Sequence, residues 1–262
     1  MRQNTNILTS RNINVNGIDI YYLAGGHFRQ SQYPVVLLHG WALTASTFLK
    51  SLELLAQDFY VIAPDLPGFG RTPASNITWT YEKYASIISE FMLQLEIEAS
   101  HLIGHSTGGG IAIVLAADQP KLVHSLTLVD SAGIPIGPLV NVVAKRSIEL
   151  PVQAIKNLCS SYHVALVRSS LYNFLFRTTT MAESVQLPLR IDLRSYVVRI
   201  QAPSLVLWGE QDWTIPLRSG RELSQIIGAE MVIIKGGHHE WSIFQPEELY
   251  NNISDFILAV GE

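Results

Sequence analysis

The first readable pattern along the chain is Ile13-Asn14-Val15-Asn16-Gly17-Ile18-Asp19-Ile20, two runs in which every second residue is apolar, joined by Asn-Gly. Period-two alternation marks strands with one buried face, and Asn-Gly supplies the positive-φ residues of a tight hairpin. The chain is therefore predicted to open with an antiparallel pair. Short unbroken apolar runs follow: 34 to 38, 59 to 63, 101 to 103, 122 to 129, 204 to 208 and 231 to 234. Runs without alternation suit strands buried on both faces, as in a parallel sheet. Between them lie stretches with apolar residues three and four apart, such as 81 to 95 (Tyr84, Ile87, Ile88, Phe91, Leu95), 109 to 117, 218 to 227 and 246 to 260. That spacing predicts helices with one buried face. Strand and helix alternate, which implies an α/β fold with a mostly parallel central sheet, helices on both faces, and sites at the carboxyl ends of the strands.

The alternation stops from about Ser131 to Leu193, where Pro135, Pro138, Pro151 and Pro188 divide short apolar helical stretches such as 163 to 176. Residues 131–193 are therefore read as an inserted helical cap, or lid, on a core made of 1–130 and 194–262. No internal repeat or low-complexity tract is visible.

Composition narrows the class. The chain has 262 residues, 48% hydrophobic and 15% charged, with a mean hydropathy of +0.21; this suits one large core, and no run is long enough to span a bilayer. The first ten residues are polar and Asn-rich, without a signal-peptide pattern, so a cytoplasmic location is expected. A single cysteine, Cys159, excludes an internal disulfide and reads as a small buried hydrophobe. The sequons at Asn76 and Asn252 carry little weight in that compartment. Net charge is −4 but uneven: from Gly133 to Arg199 eight Lys/Arg face three Asp/Glu, +5, which leaves −9 elsewhere.

Gly104-His105-Ser106-Thr107-Gly108 directly follows a strand-like run and directly precedes a helical one. A serine on a sharp strand-to-helix turn needs glycines two residues before and after, because a Cβ there collides with the returning backbone. Phosphate-loop patterns fail, since no Lys-Ser/Thr follows and no complete dinucleotide fingerprint is present, so neither nucleotide nor nucleic acid is an expected partner. A serine hydroxyl attacks at neutral pH only when a base takes its proton and a third group orients that base. Asp212, just beyond the run 204 to 208, is the preferred acid, and Asp130, at the end of 122 to 129, is the competitor. His238 and His239 lie in the last strand-to-helix loop, and the order serine, acid, histidine agrees with the serine turn. The remaining histidines, His27, His101, His124 and His163, fit no constellation, and neither metal-ligand spacing nor a cofactor motif is found.

Together His39-Gly40-Trp41, Asp65-Leu66-Pro67-Gly68-Phe69-Gly70-Arg71-Thr72, the turn from Gly104 to Gly108, the segment 208 to 212 and the segment 237 to 246 resemble the α/β-hydrolase superfamily over essentially the whole chain. The resemblance implies a catalytic serine at Ser106, an acid at Asp212 and a base at His239, which precedes Pro246 by seven residues, as is common in the family. His238 stands where the family usually has glycine. An oxyanion hole from the backbone N–H groups of Trp41 and Thr107 is also implied, with His39 a structural hydrogen-bonder and His105 directed away from the nucleophile. Serine at position 106 argues against the aspartate-dependent dehalogenases and epoxide hydrolases and favours carboxylic ester cleavage through an acyl-enzyme. Carbon–carbon bond hydrolases, lyases and haloperoxidases share this triad, and receptor-like binding proteins share the fold.

The cap supplies the substrate expectation: Ile134, Ile136, Leu139, Val140, Leu166, Leu171, Phe174, Leu175 and Phe176 are placed near the site, implying a small-molecule ester with an apolar acyl or alcohol group. The basic balance of the same segment raises contact with an anionic membrane surface as a second expectation.

Overall fold

The computed structural model describes residues 7–74, 78–142, 144–147 and 161–261. Asn76, Pro151 and Cys159 lie outside them. The hairpin forms as the pattern predicts: β1 (Leu8–Val15) pairs antiparallel with β2 (Ile18–Gly26), and Asn16 and Gly17 turn the chain at φ 50° and 85°. The remaining strands are β3 (Val35–Leu38), β4 (Tyr60–Pro64), β5 (Ser100–His105), β6 (Val123–Val129), β7 (Ser204–Gly209) and β8 (Glu230–Ile234). They complete one eight-stranded sheet in the order β1-β2-β4-β3-β5-β6-β7-β8. β2 and β4 are antiparallel, and every pairing from β4 through β3 to β8 is parallel.

The helices are α1 (Leu49–Leu55), α2 (Tyr81–Gln94), α3 (Thr107–Asp118), α4 (Ser161–Phe176), α5 (Thr178–Ser184), α6 (Gln186–Arg190), α7 (Arg194–Val197), α8 (Leu217–Ile227), α9 (Trp241–Phe244) and α10 (Pro246–Gly261). Alternate residues of each central strand face opposite ways, so the sheet organises two cores. Val36 and Leu38 of β3 pack with Phe91 of α2, Ile111 of α3 and Leu223 of α8. Val35 and Leu37 pack with Leu52 of α1 and with Leu249, Ile253 and Ile257 of α10. Each such side chain contributes about 1.5–3 kcal/mol when fully buried. Among the described residues no helix is long and apolar enough to cross a membrane.

Helix α3 differs from its neighbours in having no polar face: every residue from Thr107 to Ala117 is buried. A helix apolar all round belongs inside, and this one runs back from the end of β5, which is itself buried throughout. The junction between them is Ser106, at φ 53° and ψ −119°. Space for so tight a turn comes from glycine. A Cβ on Gly104 would stand 2.6 Å from the Gly108 carbonyl oxygen, and one on Gly108 would stand 2.3 Å from that of Leu38.

Between β6 and β7 the chain leaves the sheet, with helical residues at 139–142 and 144–147 and then α4 to α7. Polar contacts fasten this insertion to the loops beyond the strand ends. Ser169 lies 2.7 Å from Thr44 Oγ1, and Asn173 donates to the carbonyls of Ala42 and Leu43 while accepting from the N–H of Gly70. These anchors occupy the inner side of α4. Leu171, Leu175 and Phe176, expected near the site, therefore face outward, as does Val140 from the preceding helical segment; Ile134 joins the sheet core.

Replacing Gly108 with alanine is expected to lower the unfolding free energy by about 1–3 kcal/mol, because neither backbone neighbour can give way. Gly228, at φ 73° with open space around its Cβ position, is expected to lose only the left-handed strain of about 1–2 kcal/mol on the same change. Urea unfolding midpoints of the two variants check the order.

Candidate active site

Three loops at the carboxyl ends of parallel strands meet above β5. The first is the turn at Ser106, fixed by its own N–H donating to Val129 O at 3.0 Å and by its carbonyl accepting from Gly109 and Ala132, each at 2.9 Å. A non-glycine residue held at positive φ costs on the order of 1–3 kcal/mol and persists only where its surroundings over-determine it.

The second loop follows β7. Asp212 Oδ1 accepts from the N–H groups of Thr214 and Ile215, both at 2.8 Å, which folds the loop around the carboxylate. The third follows β8 and carries His239. These two loops are tied together, with Gln211 N donating to Gly237 O at 2.7 Å and Glu210 N to Ile234 O at 3.0 Å. Their backbones touch at Gly209, where a Cβ would lie 2.6 Å from Gly237 O.

The result is a buried relay. His239 Nδ1–H donates to Asp212 Oδ2 at 2.7 Å, and Nε2 lies 3.0 Å from Ser106 Oγ, placed to accept the hydroxyl proton. Ser106, Asp212 and His239 are all buried, and Ser106 and His239 line the cavity while Asp212 stands behind them. Burial alone pushes the His239 imidazole down, but the charge and hydrogen bond of Asp212, with Glu240, outweigh it and leave the group above 6.5. Of the adjacent pair, His239 meets the serine; His238 instead sets its ring edge-on to Trp213 at 6.0 Å.

Asp130 lies at the end of β6, wholly buried and at φ 42°. Its Oδ1 accepts from Gly209 N at 2.8 Å. Burial, and then the charge of Asp212, hold its carboxyl well above the ordinary range, so it keeps its proton. Two buried carboxyl groups this close do not both ionise, and Asp212, with its three donors, is the charged one. Asp130, Asp212 and His239 form the one cluster among the described residues whose donor atoms, within 4.8 Å of one another, have metal-site spacing. Here, however, both His239 nitrogens and both Asp212 oxygens are engaged in the relay and its backbone supports.

The other histidines divide clearly. His39 is fully buried, donates from Nδ1 to Gly40 O at 2.8 Å, accepts at Nε2 from Leu66 N at 2.9 Å, and is pushed down to about 4 by burial. It is a neutral brace for two loops. His105 packs against the base: its ring lies 5.2 Å from that of His239, its Nε2 lies 3.1 Å from His239 O, and burial followed by His239 pushes it down to about 3. A neutral imidazole there buttresses its neighbour without competing for the proton. His101, at the opposite end of the sheet, lies between Ser31 and Ser125 at 2.7 and 2.8 Å.

Gly40 places the His39-Gly40-Trp41 loop against the serine, since a Cβ there would stand 3.0 Å from Ser106 Cβ. The same loop reaches the insertion, because Trp41 Nε1 donates to Met181 O at 3.2 Å and its ring meets Phe174 edge-on. In front of Ser106 opens a cavity of about 780 Å³, lined by Ile136, Leu139, Leu166, Phe174 and, from α5, the turn after it and α6, by Met181, Val185 and Leu189. The last three were missed in the sequence, although their spacing of four residues was a usable signal. Also missed was an ion pair at the cavity wall: Arg146 reaches Glu240, the residue after His239, at 2.5 Å and Thr214 Oγ1 at 3.2 Å.

A model of the alpha/beta hydrolase family matches residues 35–252. The uncharacterized hydrolase YugF of Bacillus subtilis (strain 168) is 26% identical, with 94% of this chain and 97% of that protein covered. The 2-hydroxy-6-oxo-6-(2'-aminophenyl)hexa-2,4-dienoic acid hydrolase of Metapseudomonas resinovorans is 22% identical over 94% of this chain and 90% of its own length. The solved structure of a membrane phospholipase A, described as a bacterial virulence factor, has the same fold, with a TM-score of 0.81 and 24% identity over 98% of this chain and 88% of that one. With the sheet order, the serine turn and the match from residue 35 to residue 252 in agreement, this chain belongs to the alpha/beta hydrolase family.

Proposed function

We propose that the protein is a serine hydrolase that cleaves carboxylic esters with a small to medium, apolar acyl or alcohol group. One observation carries the reading: the hydroxyl of Ser106, bonded to His239 and through it to Asp212, faces an apolar cavity large enough for such a substrate. In this reading His239 takes the proton as Oγ attacks the ester carbonyl, and the tetrahedral oxyanion accepts hydrogen bonds from the backbone N–H groups of Thr107 and Trp41. Thr107 opens α3, where the first N–H groups have no acceptor within the helix and the dipole favours negative charge. Collapse of the intermediate returns the proton to the leaving alkoxide and leaves an acyl-enzyme, which water hydrolyses by the same proton path. The helical insertion serves as a cap that excludes bulk water and strengthens these polar contacts.

A second reading, hydrolysis of a carbon–carbon bond, is kept by the full-length likeness to the aminophenyl-hexadienoic acid hydrolase. The cavity wall favours the ester: its lining is almost wholly apolar, and its guanidinium, that of Arg146, is engaged by Glu240.

Turnover of p-nitrophenyl esters from acetyl to palmitoyl is expected to depend on Ser106, to vanish in Ser106→Ala, and to show a chain-length optimum; a folded protein without turnover on any member would overturn the ester reading. Asp212→Asn should reduce kcat by about 10⁴ through the wrong imidazole tautomer. Asp130→Asn should retain most of it, since the side chain it replaces is already neutral, and the reverse order would make Asp130 the orienting acid. His239→Ala should abolish acyl transfer and His238→Ala largely spare it. Because the base must be neutral and Asp212 raises its proton affinity, kcat/KM should climb with pH to a plateau, with a midpoint above 6.5. A midpoint below that value in the pH–rate profile would mean that burial governs the imidazole.

A further inference from the structure

Helix α4 is inverted relative to an ordinary surface helix. Val164, Val167, Leu171 and Leu175 succeed one another at intervals of three and four residues, so they form one stripe, and they are 68%, 49%, 55% and 62% exposed. The opposite side carries Ser169 and Asn173, both buried and both committed to anchoring the loops at Thr44, Thr47 and Gly70. The fold thus uses the polar side of the helix inside, and nothing in the described structure covers the apolar side. A contiguous exposed apolar surface marks an interaction site.

Charge indicates the occupant. Helix α4 contains no acid, and Arg168 stands exposed within the apolar stripe. Elsewhere between β6 and β7 Lys145 and Arg190 are also exposed. Among the described residues between β6 and β7 the other cations are spent internally: Arg146 on Glu240, Arg194 on Asp192 and Glu222, Arg199 on Asp118, and Arg177 on the Gly70 carbonyl. Lys145, Arg168 and Arg190 make no ion pair among the described residues, and Glu183 is the one acid of the described insertion outside an ion pair. A two-fold contact with a second copy would bring these like charges together. An anionic bilayer accommodates both features, taking apolar side chains at the headgroup–acyl boundary and cations at the phosphates. Position supports the same occupant. Leu139 and Phe174 are 42% and 54% exposed and also line the cavity in front of Ser106, so the cavity opens beside this surface.

We propose that the outer face of α4, with Arg168 within its apolar stripe, docks on an anionic lipid surface and draws apolar substrate from it into the cavity. The docking stands on the inverted helix and its charges; only the nature of the cargo rests on the ester reading above.

The test is sedimentation of the purified protein with vesicles of phosphatidylcholine alone and of equimolar phosphatidylcholine and phosphatidylglycerol. Binding is expected to the anionic vesicles, to weaken as salt screens the charges, to fall about fivefold in Arg168→Gln, and to be lost in Leu171→Asp/Leu175→Asp. None of these side chains lines the cavity, and an unchanged melting temperature confirms that each variant is folded. Absence of binding by the wild type overturns the proposal. So does binding that the double variant retains, or a dimer, measured by ultracentrifugation without lipid, that the double variant dissolves while vesicles are ignored. Vesicle binding by a protein that hydrolyses no ester keeps the docking and removes the ester reading; ester turnover without vesicle binding does the opposite.

Discussion

A serine held at φ 53° between a buried strand and a helix buried from Thr107 to Ala117 has no direction in which to relax. The strain is not tolerated at the site so much as imposed on it by two cores. Leu38 and Ile111 on one face of the sheet and Leu37 and Ile103 on the other fix the ends of the turn, and the near contact of Gly104 with Gly108 fixes its pitch. Every other functional position is measured from there. The loop of Gly40 is set by its approach to Ser106, and Ala132 and Gly109 are set by the serine carbonyl they share.

The electrostatics depend on the same enclosure. Two acids, one proton between them and one imidazole lie out of water, and their division of labour follows from the number of donors each collects. Asp212 sits inside a turn of its own loop and gathers two backbone N–H groups and the imidazole; Asp130 gathers one backbone N–H and keeps its proton. The protonated acid thereby lends a neutral neighbour to the charged one, at a position where a second carboxylate would oppose the first.

Much of this was legible in the sequence because it rests on local rules. Unbroken apolar runs marked the parallel strands, Asn16-Gly17 marked the hairpin, and glycines at 104 and 108 flanking a serine marked a turn that tolerates no Cβ. Those rules depend on period and on backbone geometry, which letters encode. The facing of the insertion was not legible. The stripe 164, 167, 171, 175 has the spacing of a buried face, and only the contacts of Ser169 and Asn173 show that the helix is turned the other way. Likewise the place of His105 against His239, and the meeting of Arg146 with Glu240 across 94 residues, are products of tertiary packing with no local signature.

That last pair makes the strength of the base depend on a part of the chain remote from it. Glu240 raises the proton affinity of His239 and Arg146 lowers it, and the two are joined to each other. Glu240 is fixed by the histidine loop, whereas Arg146 belongs to the insertion. Any displacement that carries residue 146 outward withdraws the counter-charge, and a carboxylate buried beside an imidazole then holds the proton on that imidazole more firmly. The proton affinity of His239 is thus shared between its own loop, through Glu240, and a guanidinium brought to it from a distant part of the chain.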